Sequence, residues 1–140
     1  MPITITHRQL IDQALGEIKT YSAQDVKKRM ATDASIQLVD IRDIRELQAP
    51  AGTPVGSAHA PRGMIEFWVD PSSPYFKSMW GDESKEFVLF CAAGWRSALT
   101  AKTLQDMGLT NVAHIDGGFE AMKEAGFAME SLEQRKLNKA

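Results

Sequence analysis

Reactive chemistry in this chain centres on its one cysteine, Cys91. The apolar run Phe87-Val88-Leu89-Phe90 has the length of a strand and ends there. Ala92, Ala93, Gly94, Trp95, Arg96 and Ser97 follow, and Ala98 to Leu104 reads as a helix. A thiol at a strand-to-helix turn faces converging backbone N–H groups and the positive end of a helix, and both favour thiolate over thiol. The small residues Ala92, Ala93 and Gly94 let successive amides curl inward as an anion nest. Arg96 adds a permanent positive charge, and Ser97 is placed to cap the following helix. The competing reading, a small buried hydrophobe at a strand end, fits a lone cysteine but does not account for this turn. The expected chemistry is attack by sulfur, with Cys91 as nucleophile and Ala92, Ala93, Gly94, Trp95, Arg96 and Ser97 as the loop that binds the anion.

The elements that must position this loop follow from the periodicity of apolar residues. Leu10, Ile11, Ala14, Leu15 and Ile18 recur at helical spacing, which predicts an amphipathic lead-in helix from about 6 to 19. A second short helix starts at Ser22 as N-cap with Asp25 as its partner, and turns Val26 and Met30 inward. Ile36 to Ile41 has the branching of a buried strand. Residues 42–47 predict a short helix or edge strand, 49–54 a loop, and 57–60 a brief strand. The aromatic stretch 64–80 predicts short helical turns packed over one end of the sheet. Phe87–Phe90 and Asn111–Ile115 are strands, 96–107 and the segment after Gly117-Gly118 are helices, and the tail from Ser131 frays. Strands alternating with helices predict an α/β fold, a mostly parallel central sheet with helices on both faces. Such sheets place their site beyond the carboxyl ends of the strands, where Cys91, Asp40 to Arg42 and Asp116 to Gly118 all fall. The expected organisation is a lead-in helix over 1–20, a domain over 21–130 and a tail over 131–140.

With these residues in order, the chain resembles a rhodanese domain, the sulfurtransferase family. The family's active loop is a cysteine, five residues and a helix, which Cys91-Ala92-Ala93-Gly94-Trp95-Arg96 and then Ser97-Ala98 match. Leu38-Val39-Asp40-Ile41-Arg42 followed by Glu46 resembles its early strand motif. Gly56 to Gly63 resembles its Gly-His-Ile-Pro-Gly segment, with wider spacing and Arg62 interposed. Ile115-Asp116-Gly117-Gly118-Phe119, then Ala125-Gly126, resembles its closing glycine-pair motif. The match spans roughly residues 20 to 130. It implies a rhodanese-like fold and two-step sulfur transfer. Cys91 takes a sulfane sulfur from a small sulfur-containing anion such as thiosulfate, or from a persulfide donor, and passes it to a thiol or protein cysteine. The loop amides would hold the anionic persulfide. No cofactor is implied. His59 and His114 are read as structural, because the attacking thiolate needs no base. Asp40 and Arg42 are supporting residues, more naturally an ion pair than substrate ligands.

Three rival readings fit parts of this pattern. A cysteine phosphatase or arsenate reductase needs five residues between cysteine and arginine; here four separate Cys91 from Arg96, and Ser97 stands where the arginine would be. A non-catalytic docking module does not need its cysteine. A persulfide carrier dedicated to one protein partner fits the absence of a second thiol. Trp95 in the loop is read as shielding the persulfide, shaping donor access or docking a partner. The lead-in helix packs on its own domain or on a second copy, so a homodimer stays open.

Composition narrows the partners. A formal net charge of −2 gives no reason to expect nucleic acid or an anionic membrane, and no apolar run reaches membrane-spanning length. A single cysteine excludes an internal disulfide, and three scattered histidines give no metal-site spacing. A reducing cytoplasm is the expected compartment.

Overall fold

The computed structural model describes residues 2–139. A five-stranded sheet forms its centre, with β1 (Lys19–Tyr21), β6 (Val112–Ile115), β5 (Glu86–Phe90), β2 (Ile36–Asp40) and β4 (Ala58–His59) side by side in that order. Every neighbouring pair runs parallel. The α/β reading therefore holds, and its physical basis is visible in β2 and β5. Both strands are buried along almost their whole length because both of their faces are covered.

Alternation along these strands divides the core into two layers. Val39, Phe87, Leu89 and Cys91 share one layer with Ala101 and Leu104 of α5 (Trp95–Asp106) and Ile65 of α4 (Ile65–Val69). Leu38, Val88, Phe90 and Ile115 share the other with Val26 of α2 (Ala23–Met30) and Phe119 and Met122 of α6 (Gly118–Glu124). Ile11 and Ala14 of α1 (His7–Leu15) pack on Ala98, so the lead-in helix lies against α5 of its own chain. The short α3 (Ile44–Leu47) follows β2 and is closed by a capping box between Asp43 and Glu46.

Several expected elements differ. The first helix ends at Leu15, and Lys19–Tyr21 becomes the edge strand β1. Thr53–Pro54 (β3), placed in a loop by sequence, pairs antiparallel with Met129–Glu130 (β7). The tail is not frayed: Leu132–Lys139 forms α7. Ser131 Oγ accepts from the Gln134 N–H, the Gln134 side chain accepts from the Ser131 N–H, and Arg135 donates to the Ser57 carbonyl at 2.8 Å. In the aromatic segment Trp80 is core, packed on Phe87 at 4.5 Å between ring centroids, whereas Phe67 and Tyr75 are exposed. No helix among the described residues is long and apolar enough to cross a membrane.

Candidate active site

Cys91 follows β5 directly, at the carboxyl edge of the sheet, with only 1% of its surface exposed. Gly94 turns the chain around the sulfur through a left-handed conformation (φ +108°) that a side chain would resist. As a result the N–H groups of Gly94 and Ser97 both aim at Sγ, at 3.2 and 3.3 Å. The carbonyls of the same loop are held from behind. The N–H of Phe119 donates to the Cys91 oxygen at 2.7 Å, and that of Glu120 to the Ala92 oxygen at 3.2 Å. The start of α6 thus fixes the loop with its amides facing the sulfur and its carbonyls turned away. Gly118 permits this approach, because a Cβ there would overlap the Cys91 carbonyl oxygen and lie 2.9 Å from that of Ala92.

The remaining loop residues take unequal parts. Ala92 is half-buried and Ala93 exposed, and only Gly94 and Ser97 of the loop reach Sγ with an amide. Ser97 does not cap the helix: α5 begins at Trp95, and Gly94 occupies the cap without a side chain. Ser97 falls in the first turn instead, with its hydroxyl 3.6 Å from Sγ. It also lies 3.0 Å from His114 Nδ1, and His114 Nε2 is 3.0 Å from the Thr20 hydroxyl. Arg96 does not present an open charge to the loop. Its guanidinium grips Glu46 of α3 with two bonds of 2.7 and 2.9 Å. This pairing raises Arg96 further above its ordinary value and holds the Glu46 carboxyl below its own. Trp95 is 53% exposed, and its ring faces His7, 5.3 Å away between centroids, and the Arg8 guanidinium at 5.8 Å. The start of α1 therefore reaches the rim of the loop, a contact that spacing in the sequence does not reveal.

Asp40 and Arg42 form a closed buried pair. Arg42 Nη2 donates to Asp40 Oδ2 at 2.8 Å and to the Gly52 carbonyl at 2.8 Å, and the guanidinium stacks 4.0 Å above the Phe119 ring. The Thr53 hydroxyl completes the shell on Asp40 at 2.8 Å. His59 Nε2 donates to the Arg42 carbonyl at 2.7 Å, so it too belongs to this scaffold.

His114 is 1% exposed, and burial pushes it down to about 4 from the ordinary 6.5, partly opposed by Asp116. The unfolded chain binds a proton at this histidine below pH 6.5 that the folded chain refuses until about pH 4. Stability from this group is therefore complete above pH 6.5 and is lost as pH falls, by about 3 kcal/mol at pH 4. Urea unfolding from pH 7 to pH 4 should show this slope, and His114→Gln should flatten it.

The geometry defines a class: a parallel α/β domain with a buried thiol in an amide-lined loop at its carboxyl edge. The Rhodanese-like domain model matches residues 22–125, and the chain belongs to that family. Two relatives come from Bacillus subtilis (strain 168). "Putative sulfurtransferase YtwF" is 28% identical over 105 residues, covering 75% of this chain and 90% of its own. "Putative sulfur carrier protein YrkF" is 26% identical over 103 residues, covering 74% of this chain and 50% of its own. The chain thus spans only half the length of YrkF. Among solved structures, RPA3614 of Rhodopseudomonas palustris CGA009 is 48% identical, with a TM-score of 0.84 over 93% of this chain and 99% of that one. It is described as a protein of unknown function and possible tyrosine phosphatase.

Proposed function

We propose that the protein is a sulfurtransferase that carries a sulfane sulfur as a persulfide on Cys91. The Cys91 thiolate attacks the outer sulfur of thiosulfate or a comparable donor. The donor S–S bond breaks, sulfite leaves with the electron pair, and the sulfur stays on Sγ. A thiol or protein cysteine then attacks the outer sulfur, and Cys91 departs as thiolate. The observation that carries this reading is the pair of amides, Gly94 and Ser97, donating to one sulfur atom. Fixed donors of this kind stabilise negative sulfur without reorganisation in either half-reaction. The names of YtwF and YrkF support sulfur transfer or carriage, and the single cysteine suits delivery to another molecule.

RPA3614 gives the phosphatase reading its one specific support. Against it, four residues separate Cys91 from Arg96, and the Arg96 guanidinium is engaged by Glu46. Parallel assays separate the two: thiocyanate formed from thiosulfate and cyanide, and nitrophenol released from p-nitrophenyl phosphate. Sulfur transfer predicts turnover in the first and none in the second; the reverse pattern rejects it.

The Arg96–Glu46 pair makes a further prediction. Glu46→Gln leaves the guanidinium without its carboxylate, some of whose field then reaches the loop. KM for thiosulfate should fall severalfold at low salt, and the gain should shrink as salt is added. Steady-state kinetics at two ionic strengths measure this, and an unchanged KM would assign the pair to holding α3 against α5 alone.

A further inference from the structure

Behind the sulfur lies a chain of side-chain hydrogen bonds that the transfer reaction as described does not use. Ser97 Oγ is 3.6 Å from Cys91 Sγ and 3.0 Å from His114 Nδ1, nearer than its other acceptor, the Gly94 carbonyl at 3.3 Å, and His114 Nε2 is 3.0 Å from Thr20 Oγ1. The four residues come from the loop after β5, the first turn of α5, and strands β6 and β1. Register places Thr20 directly beside His114. Ser97 and His114 are buried, whereas Thr20 is exposed on the edge strand. The chain thus connects an enclosed thiol to solvent across the sheet.

We propose that Ser97, His114 and Thr20 form a proton relay, in which reversal of every hydrogen bond accompanies ionisation of Cys91. It rests on Cys91 being the reacting nucleophile. With the thiol protonated, S–H donates to Ser97 Oγ, the Ser97 hydroxyl donates to His114 Nδ1, and His114 Nε2–H donates to Thr20 Oγ1. Ionisation moves one proton at each link. The thiol proton passes to Ser97, the Ser97 proton to Nδ1, the Nε2 proton to Thr20, and the Thr20 proton to water. No bond between heavy atoms changes, and the net loss is one proton from Cys91. Afterwards Ser97 donates to the thiolate, His114 Nδ1–H donates to Ser97, and Thr20 donates to Nε2.

Two features suit His114 to this task. Its two nitrogens face hydroxyls, which donate or accept equally well, so either tautomer is fully bonded. Burial also keeps the ring neutral, so it passes a proton along without storing charge. Two charged groups interact with its members: Arg96 on α5 with Cys91, and Asp116, just after β6, with His114. Arg96 is paired with Glu46, and neither group bonds to a side chain of the three links. The reversed chain supplies the thiolate with a third donor beside the Gly94 and Ser97 amides. Ser97 thus touches the reacting sulfur itself, and His114 is a positioning residue that acts through Ser97.

The test is 15N NMR of the histidine rings while pH is raised, with Cys91 ionisation followed in parallel by the rate of iodoacetamide alkylation. His114 should stay neutral and change from Nε2–H to Nδ1–H, with the same midpoint as the rise in alkylation. His7 and His59 serve as internal references. Ser97→Ala should abolish the tautomer change and slow alkylation at pH 7 about tenfold, while Cys91→Ala should leave His114 in one tautomer throughout. A wild-type His114 that keeps Nε2–H while alkylation rises overturns the relay, as does a tautomer change that survives in Ser97→Ala. No sulfur donor enters the measurement, so its outcome is independent of whether the protein accepts sulfur. A protein that loads sulfur with His114 unchanged loses the relay alone, and one that changes tautomer without loading loses only the transferase reading.

Discussion

Cys91→Ser should fold like the natural protein and form no thiocyanate from thiosulfate and cyanide. The substitution leaves the shape of the loop intact, because a serine oxygen in that place still accepts from the Gly94 and Ser97 amides that now converge on Sγ. The cost in stability should stay within about 1 kcal/mol, the scale of one altered buried hydrogen bond. Turnover depends on something different. An alcohol does not ionise near neutral pH and has no sulfur with which to form a persulfide, so the covalent intermediate is lost entirely. The chain holds no second cysteine to take over. Circular dichroism and urea unfolding check the first half of the result, and the cyanide assay the second. Residual turnover above a few per cent would move the reacting group elsewhere.

Gly118→Ala should damage both fold and activity. Gly118 sits at φ +56°, in the left-handed region, and a methyl group there enters the space of the Cys91 and Ala92 carbonyls. Those carbonyls accept from Phe119 and Glu120, the contacts that hold the loop's amides toward the sulfur. The left-handed penalty and the steric conflict together predict a loss of about 2–4 kcal/mol. Relief of the conflict requires the loop to move outward, which withdraws the Gly94 and Ser97 amides from Sγ. Transfer should therefore fall by more than the loss of folded protein explains. By contrast, Gly108 has open space where its Cβ would lie, so Gly108→Ala carries the left-handed cost without the collision and should leave activity per folded molecule unchanged. Comparing the two variants by urea unfolding and by activity per folded molecule isolates the loop contact.

What the sequence made legible was the part governed by local pattern. Ile36–Ile41 and Phe87–Phe90 are dense in branched and aromatic residues, so the central strands and the thiol at the end of one of them could be read directly. The missing pieces depend on contacts distant in the chain. Lys19–Tyr21 is three residues of mixed polarity, and its strand character comes from pairing with Val112–Ile115 rather than from any period of its own. Ile18 extends the helical spacing of the residues before it, which hid the end of α1 at Leu15. Ser97 looks like an N-cap by type and position, yet Gly94 is able to start the helix earlier and so turns the hydroxyl toward Cys91 and His114. Arg96 reads as a free charge until Glu46, fifty positions away, is brought against it by α3. His114 is one more apolar-flanked residue of a strand in the sequence; only the sheet register sets Thr20 beside it. In the tail, Ser131 and Gln134 form a capping-box pair that starts α7, a local signal three residues apart.

The central claim is that Cys91 carries sulfur, and intact-protein mass spectrometry after brief incubation with thiosulfate tests it most directly. The natural protein should gain about 32 Da, the mass of one sulfur atom expected of covalent catalysis through a persulfide, and should lose it on treatment with a reductant or cyanide. Cys91→Ser should gain nothing. An unchanged mass for the natural protein with thiosulfate and with a persulfide donor, or an equal gain on both proteins, would contradict the account.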